Sequence, residues 1–140
     1  MPIIRLDLGQ VCVRNACRRV PHNMSNKRMH WAVRNAWNQG WKEEVRVAWV
    51  CARPRDFTTA PQFAKIRVRL CVVRLFDHDG AYSATKPLLD GLTEAGAIMD
   101  DSPRFIDLLV KQQKVAHKDE EGVTMEVIWG KELDNDLGVW

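Results

Sequence analysis

The alternation of apolar and polar residues near the start of the chain predicts β-structure. Residues 3–8 alternate with a period of two, which is typical of a strand with one buried face. Residues 10–20 continue as a second strand or as one arm of a hairpin. The chain is therefore expected to begin with extended structure before any helix forms.

The apolar spacing then changes to four, which keeps large side chains broadly on one face of a helix. The residues concerned are Val33, Trp37, Trp41, Val45 and Trp49. We predict one long helix over about residues 26–51, with Ser25 and Asn26 as candidate N-caps. Residues 44–51 also alternate, so a strand that follows a break at Gly40 is the alternative interpretation.

The clearest strand lies at residues 65–76, after a loop that contains two prolines. Its alternation separates an apolar face (Ile66, Val68, Leu70, Val72) from a face that carries Arg67, Arg69 and Cys71. This pattern predicts a strand with one face in the core and one basic face.

The remaining pattern predicts a short amphipathic helix followed by two strands. The helix has Pro87 at its first position and Gly96 as its stop. After a turn at 99–103, residues 105–117 and 123–129 form strands joined by a hairpin turn at KDEEG. The whole order predicts an α+β fold: a single compact domain over residues 1–130 with a mixed β-sheet and two main helices, and an acidic, flexible tail at 131–140.

Composition excludes several classes of protein. The chain has 140 residues, 46% of them apolar, which suffices for one core and excludes two full domains. No apolar run reaches the roughly 18 residues that span a bilayer, so we expect no membrane partner and a cytoplasmic location. Because that compartment is reducing and the four cysteines lack zinc-site spacing, we interpret all four as structural or incidental, with no disulfide.

The net charge of +3 conceals a segregation of charge along the chain. Residues 1–74 hold 15 Lys and Arg against 4 Asp and Glu, whereas residues 75–140 hold 6 against 14. A basic half attracts polyanions and an acidic half can hold divalent cations, which together suggest metal-dependent chemistry on nucleic acid. An uneven distribution of solvated charges explains the same counts.

Two acidic pairs and a lysine are the candidate chemical groups. Asp77 and Asp79 follow the strand directly, and on an extended chain they would project from one face, roughly 7 Å apart. Asp100 and Asp101 would join them if the turn after the second helix returns to the end of that strand. Carboxylates of this kind suit Mg²⁺, or Mn²⁺ in its place. Taken alone, an Asp-x-Asp pair is more commonly a solvated turn.

These residues together resemble the RusA family of Holliday-junction resolvases, which occur in bacteria and their prophages. The resemblance lies in DHDG at 77–80, Lys86, and LLDGLTEAGAIMDDS at 88–102. Family members carry a D-x-D-N motif, a lysine, a D-[AG]-L-x-x-A-G helix and a closing D-D pair. Gly80 stands where the family has Asn, and about three residues are added before the lysine.

The resemblance implies a Mg²⁺-dependent endodeoxyribonuclease that resolves four-way DNA junctions, with no small-molecule substrate. Asp77, Asp79 and Asp101 would bind the metal and activate water, and Lys86 would offset charge in the transition state. Asp90 would be structural. The resemblance also implies a homodimer in the cytoplasm of a bacterial or phage-infected cell, because symmetric resolution needs two equivalent sites.

The segment NMSNKRMHWAVR at 23–34 is similar to the family's segment before its first helix. This similarity places DNA near Asn26, Lys27, Arg28, His30, Trp31 and Arg34, with further basic surface from Arg67, Arg69, Arg53 and Arg55. Trp31 is alternatively a core residue, and His30 an ordinary surface residue. Two other hypotheses remain open: a branched-DNA-binding protein of the same fold without nuclease activity, and a purely structural phage accessory protein.

Overall fold

The computed structural model describes residues 3–23 and 29–130. Within them the regular elements are β1 (Ile3–Leu8), β2 (Val11–Val13), β3 (Ala16–Arg18), α1 (Trp31–Ala52), β4 (Ala64–Val72), α2 (His78–Glu94), β5 (Ile106–Lys114) and β6 (Gly122–Ile128). These elements confirm the predicted α+β class with a mixed sheet and two main helices. The predicted tail at 131–140 lies outside the described residues, as do Asn26, Lys27 and Arg28.

Four strands form the main sheet in the order β1-β6-β4-β5. The central strand β4 is antiparallel to β6 and parallel to β5, so that Val68 lies opposite both Met125 and Val110. Strand β1 is antiparallel to β6 on the far side. Strands β2 and β3 form a separate two-stranded hairpin, so residues 10–20 supply both arms of a hairpin rather than the single strand or single arm that was predicted.

The predicted hairpin between the last two strands is wrong. Strand β4 lies between β5 and β6, and the connection crosses the end of β4, where the Val115 N–H donates to the Val72 carbonyl over 2.9 Å. Part of that connection is a short 3₁₀ helix, Lys118–Glu120. Six of the nine residues of β4 are buried and none is exposed, so β4 lies in the interior of the sheet with a hydrogen-bonded neighbour on each side.

Helix α1 begins at Trp31, five residues later than predicted. Its N-cap is His30, whose Nδ1 accepts a hydrogen bond from the Ala32 N–H over 3.2 Å. The helix continues to Ala52, so the alternative strand over 44–51 is excluded. Gly40 does not break it, because the missing side chain makes room for Val11: a Cβ there would lie 2.4 Å from Val11 Cγ1.

Helix α2 begins at His78, so Pro87 lies inside it rather than at its first position. An earlier capping residue, Asp77, starts the helix, and the proline is accommodated among buried neighbours. The predicted stop at Gly96 is confirmed. Gly96 has φ of +80°, its N–H donates to Thr93 O over 3.1 Å, and the next N–H donates to Leu92 O over 2.9 Å.

The core lies between the two helices and the sheet. The predicted apolar face of β4 is at most 2% exposed, and the four-residue stripe of α1 from Trp37 to Trp49 is at most 4% exposed. The helices approach each other at Gly91, where a Cβ would lie 2.9 Å from Val45 Cβ. Apolar burial on this scale is the main stabilising term of the fold.

The expectation that no disulfide forms is wrong. Cys12 and Cys17 are directly opposed on β2 and β3, with their Cα atoms 4.0 Å apart, and they are joined as a disulfide. Direct cross-strand opposition brings two thiols together regardless of their spacing in sequence. Cys51, within an apolar stretch of sequence, is exposed, because it lies on the outer face of α1.

No helix in residues 3–23 and 29–130 is long and apolar enough to cross a membrane.

Candidate functional site

The segment between β4 and α2 is held by side chains from two other parts of the chain. The Val73 N–H donates to Glu121 Oε2 over 3.0 Å. The Gln112 carboxamide bonds both backbone groups of Phe76, accepting from its N–H over 2.7 Å and donating to its carbonyl over 3.0 Å. Gln112 belongs to β5, so the sheet itself positions the residue before Asp77.

Asp77 and Asp79 form the start of α2. The Asp77 carboxylate accepts a hydrogen bond from the Gly80 N–H over 2.6 Å, as an N-cap does, and Asp79 lies in the first helical turn. Both side chains are exposed. The expected extended Asp-x-Asp geometry is therefore wrong. The helix N-terminus, where backbone N–H groups favour negative charge, accommodates the two carboxylates instead.

Asn23 is a site residue that sequence reasoning missed. A Cβ on Gly80 would lie 2.4 Å from Asn23 Nδ2 and 2.6 Å from Asp77 Oδ1, distances that real Cβ atoms do not adopt. Gly80 thus leaves space for the Asn23 carboxamide beside the Asp77 carboxylate. Nothing near Asn23 in the sequence indicates this contact, and the role of Gly80 in making room for it is evident only in the folded structure.

Lys86 joins the other two acids. Its ammonium contacts Asp101 directly and lies 3.1 Å from Asp90 Oδ1 on the next turn of the helix. The side chain of Lys86 is 61% exposed, whereas that of Asp101 is only 23% exposed. The hydrogen bond to Asp101, followed by that to Asp90, raises the pKa of Lys86, and the hydrogen bond from Lys86 lowers the pKa of Asp101.

The acids divide into two groups along α2. Asp79 and Lys86 are seven residues apart and share one helix face, with their Cα atoms separated by about 10 Å along the axis. Because β4 and β5 are parallel, α2 leads away from Asp77 and toward the start of β5. The turn that carries Asp101 folds back to the middle of α2, where Lys86 lies, rather than to the end of the strand.

The carboxylates suit Mg²⁺ by donor type, but the three predicted ligands do not gather at one point. In the described part of the chain, no three His, Cys, Asp or Glu side chains are grouped so as to hold a metal ion. Asp77 is engaged in capping and Asp101 in its ion pair. Metal binding by Asp77, Asp79 and Asp101 therefore stays a prediction.

The predicted DNA-contacting residues of the N-terminal half fall into two groups. Trp31 is 74% exposed, so it is not a core residue, and His30 beside it is exposed and caps α1. Together with Arg34, Trp31 lines an open cleft of about 490 Å³ at the start of α1. In β4, by contrast, Arg67 is only 7% exposed and pairs with Glu126 on β6 over 2.9 Å, and Arg69 is half-buried. The predicted basic face of β4 is thus partly neutralised within the sheet.

The chain matches no protein-family model and no curated protein sequence.

Proposed function

We propose that this protein is a RusA-like endodeoxyribonuclease that depends on Mg²⁺ and cuts four-way DNA junctions. The observation that carries the proposal is the acid–lysine face of α2. Asp77 and Asp79 lie at a start of the helix that Gln112 and Glu121 hold in place, and Lys86 lies on the same face as Asp79, in contact with Asp101. The family resemblance rests on these three acids and Lys86, with about three residues added before the lysine.

The chain's own residues supply positioning and charge. The Asp77 carboxylate is oriented by its bond to the Gly80 N–H, so its second oxygen has a defined direction. The Lys86 ammonium is held between Asp90 and Asp101 while most of its side chain faces solvent. A cation held in this way stabilises the negative charge that develops on a phosphodiester under attack. The need for Mg²⁺ derives from the resemblance and from the donor type of the three carboxylates.

The substrate and the oligomeric state follow from the same proposal. A four-way junction is cut symmetrically only if two equivalent sites act on it, which a homodimer provides. The exposed Trp31 ring and Arg34 at the start of α1 are suited to bases and phosphates near the branch point. The setting would be recombination or repair of DNA in a bacterial or phage-infected cell.

The Asp79→Asn variant tests the assignment of the site. It keeps the size of the side chain and removes one negative charge. We expect unchanged binding to a labelled four-way junction in EDTA and loss of cleavage in Mg²⁺. Asp56→Asn, an exposed aspartate in the loop after α1, is the matched control and should cleave like the wild type. Retained cleavage by Asp79→Asn would refute the site.

One observation favours a second candidate, a branched-DNA-binding protein without nuclease activity. The described residues hold no grouped set of three carboxylates, as a binding protein would not need one. Such a protein would bind the junction in EDTA and produce no nicks when Mg²⁺ is added. Titration of the wild type with Mg²⁺ on a denaturing gel separates the two candidates.

A further inference from the structure

A basic cavity adjoins the start of α2 and contains none of the predicted site residues. It has a volume of about 660 Å³ and lies between the β2–β3 hairpin, the end of β4 and the 3₁₀ helix. Its charged lining residues are Arg18, Arg19, Arg74, Lys118 and Glu121. Four cations against one carboxylate make it a concave site for an anion.

Specific bonds between separate segments build the cavity. Arg18 Nε donates to the Val20 carbonyl over 3.0 Å, and Arg19 donates to the Asp119 carbonyl over 2.5 Å, which ties the hairpin to the 3₁₀ helix. The Cys12–Cys17 disulfide fixes the two strands of the hairpin to each other. Burial lowers the pKa of the Arg18 guanidinium and Glu121 opposes that effect, but arginine stays charged in either case.

The cations that face this cavity are not all neutralised. Glu121, its one lining carboxylate, is also the acceptor for the Val73 N–H. Within residues 3–23 and 29–130, the side chains of Arg74 and Lys118 form no ion pair, and both are exposed. Their charges are therefore available to a ligand.

The cavity is continuous with the candidate site along the chain. Phe76 lines it, and the next residue is Asp77. Because Gln112 holds Phe76 by two hydrogen bonds, the distance between the cavity and the start of α2 is fixed by the sheet. The cavity and the acids at the start of α2 are therefore neighbours in the structure.

We propose that this cavity binds the phosphate backbone of a DNA strand and leads that strand to the acids at the start of α2. The inference rests on the proposed function, because it assumes that DNA is the substrate. It adds the β2–β3 hairpin, Arg74 and Lys118 to the DNA-binding surface. Phosphate contacts of this kind set the position of the strand rather than its sequence.

The test compares two double variants in binding to a fluorescent four-way junction in EDTA, over a series of NaCl concentrations. Arg74→Ala/Lys118→Ala removes two cavity cations. Arg5→Ala/Arg46→Ala removes two exposed arginines, one on β1 and one on α1, that line no part of the cavity, and is the matched control. Each lost phosphate contact lowers the slope of log affinity against log salt by about 0.9.

For the cavity variant we therefore expect a slope shallower by about 2, with an affinity loss on the order of tenfold to a hundredfold at 100 mM salt. The control should show a much smaller change. Equal losses in both variants would show a general effect of net charge and overturn the inference, as would unchanged binding by the cavity variant. Absence of DNA binding by the wild type overturns both this inference and the proposed function. Cavity-dependent binding without Mg²⁺-dependent cleavage supports the inference and overturns the proposed function alone.

Discussion

Replacement of Lys86 by Met is the most informative change for the stability of the candidate site. The substitution keeps an unbranched side chain of similar length and removes the ammonium that contacts Asp90 and Asp101. An exposed pair one helical turn apart contributes about 0.3–0.5 kcal/mol. Asp101 is better shielded than Asp90, so its pair contributes somewhat more, and the two together should stabilise the fold by about 1 kcal/mol.

The pH dependence of this effect has a definite sign. The pKa of Asp101 is lowered in the folded state, so its contribution is present above the ordinary value of 3.8 and is lost as the pH falls through the lowered pKa. The pKa of Lys86 is raised, so its contribution is present below 10.5 and is lost as the pH rises through the raised pKa. The pair therefore stabilises the protein between about pH 4 and pH 10.5.

Urea unfolding of the wild type and of Lys86→Met measures the effect. At pH 7 the variant should be less stable by about 1 kcal/mol, a melting-temperature difference of about 4 °C for a chain of this length. The difference should shrink as the pH falls below about 3.8, and also in 1 M NaCl. Lys114→Met, at an exposed position near the end of β5, is the control and should change little. A difference that persists at low pH and in high salt would refute the ion-pair explanation.

Three further predictions concern other parts of the fold. Gly80→Ala should destabilise the protein by about 1 kcal/mol or more although Ala favours helices, because the new methyl group meets Asn23. The loss of stability should be smaller in an Asn23→Gly background. Equal losses in the wild-type and Asn23→Gly backgrounds would contradict the contact. Gly91→Ala should cost about 1–3 kcal/mol in chemical unfolding by forcing α1 and α2 apart, and a neutral result would show that the helices can separate. Alkylation without reductant, followed by mass spectrometry, should modify only Cys51 and Cys71 among the four cysteines. Labelling of Cys12 or Cys17 would show that the disulfide is not formed in solution.

Local periodicity was enough to predict the class of fold. The spacing of four from Trp37 to Trp49 predicts a helix with a buried face, and the alternation in β4 predicts a strand with a buried face. The burial of these residues confirms both predictions. The pairing of β5 was not predictable in the same way. The KDEEG turn favours a hairpin locally, but β4 takes the place between the last two strands, and that choice depends on contacts distant in sequence.

Competition between two start signals explains the error in α2. Pro87 is a favourable first residue of a helix, and a helix that began there would have Lys86 as its N-cap. Asp77, nine residues before Lys86, forms a cap with the Gly80 N–H, and this earlier signal prevails. The same error produced the extended geometry expected for Asp77 and Asp79. The sequence does place Lys86 between two acidic clusters. The contact between Lys86 and Asp101 agrees with that position. Asn23 had no local signal, because its link to the site exists only in three dimensions.

Cleavage of a synthetic four-way junction tests the central claim most directly. Each of the four strands is labelled in a separate preparation, the purified protein is added with Mg²⁺ or with EDTA, and the products are resolved on a denaturing gel. The proposed function predicts paired nicks at symmetric positions in opposite strands, present in Mg²⁺ and absent in EDTA. Tight binding of the junction with all four strands intact in Mg²⁺, under conditions in which a known resolvase cuts, would contradict it.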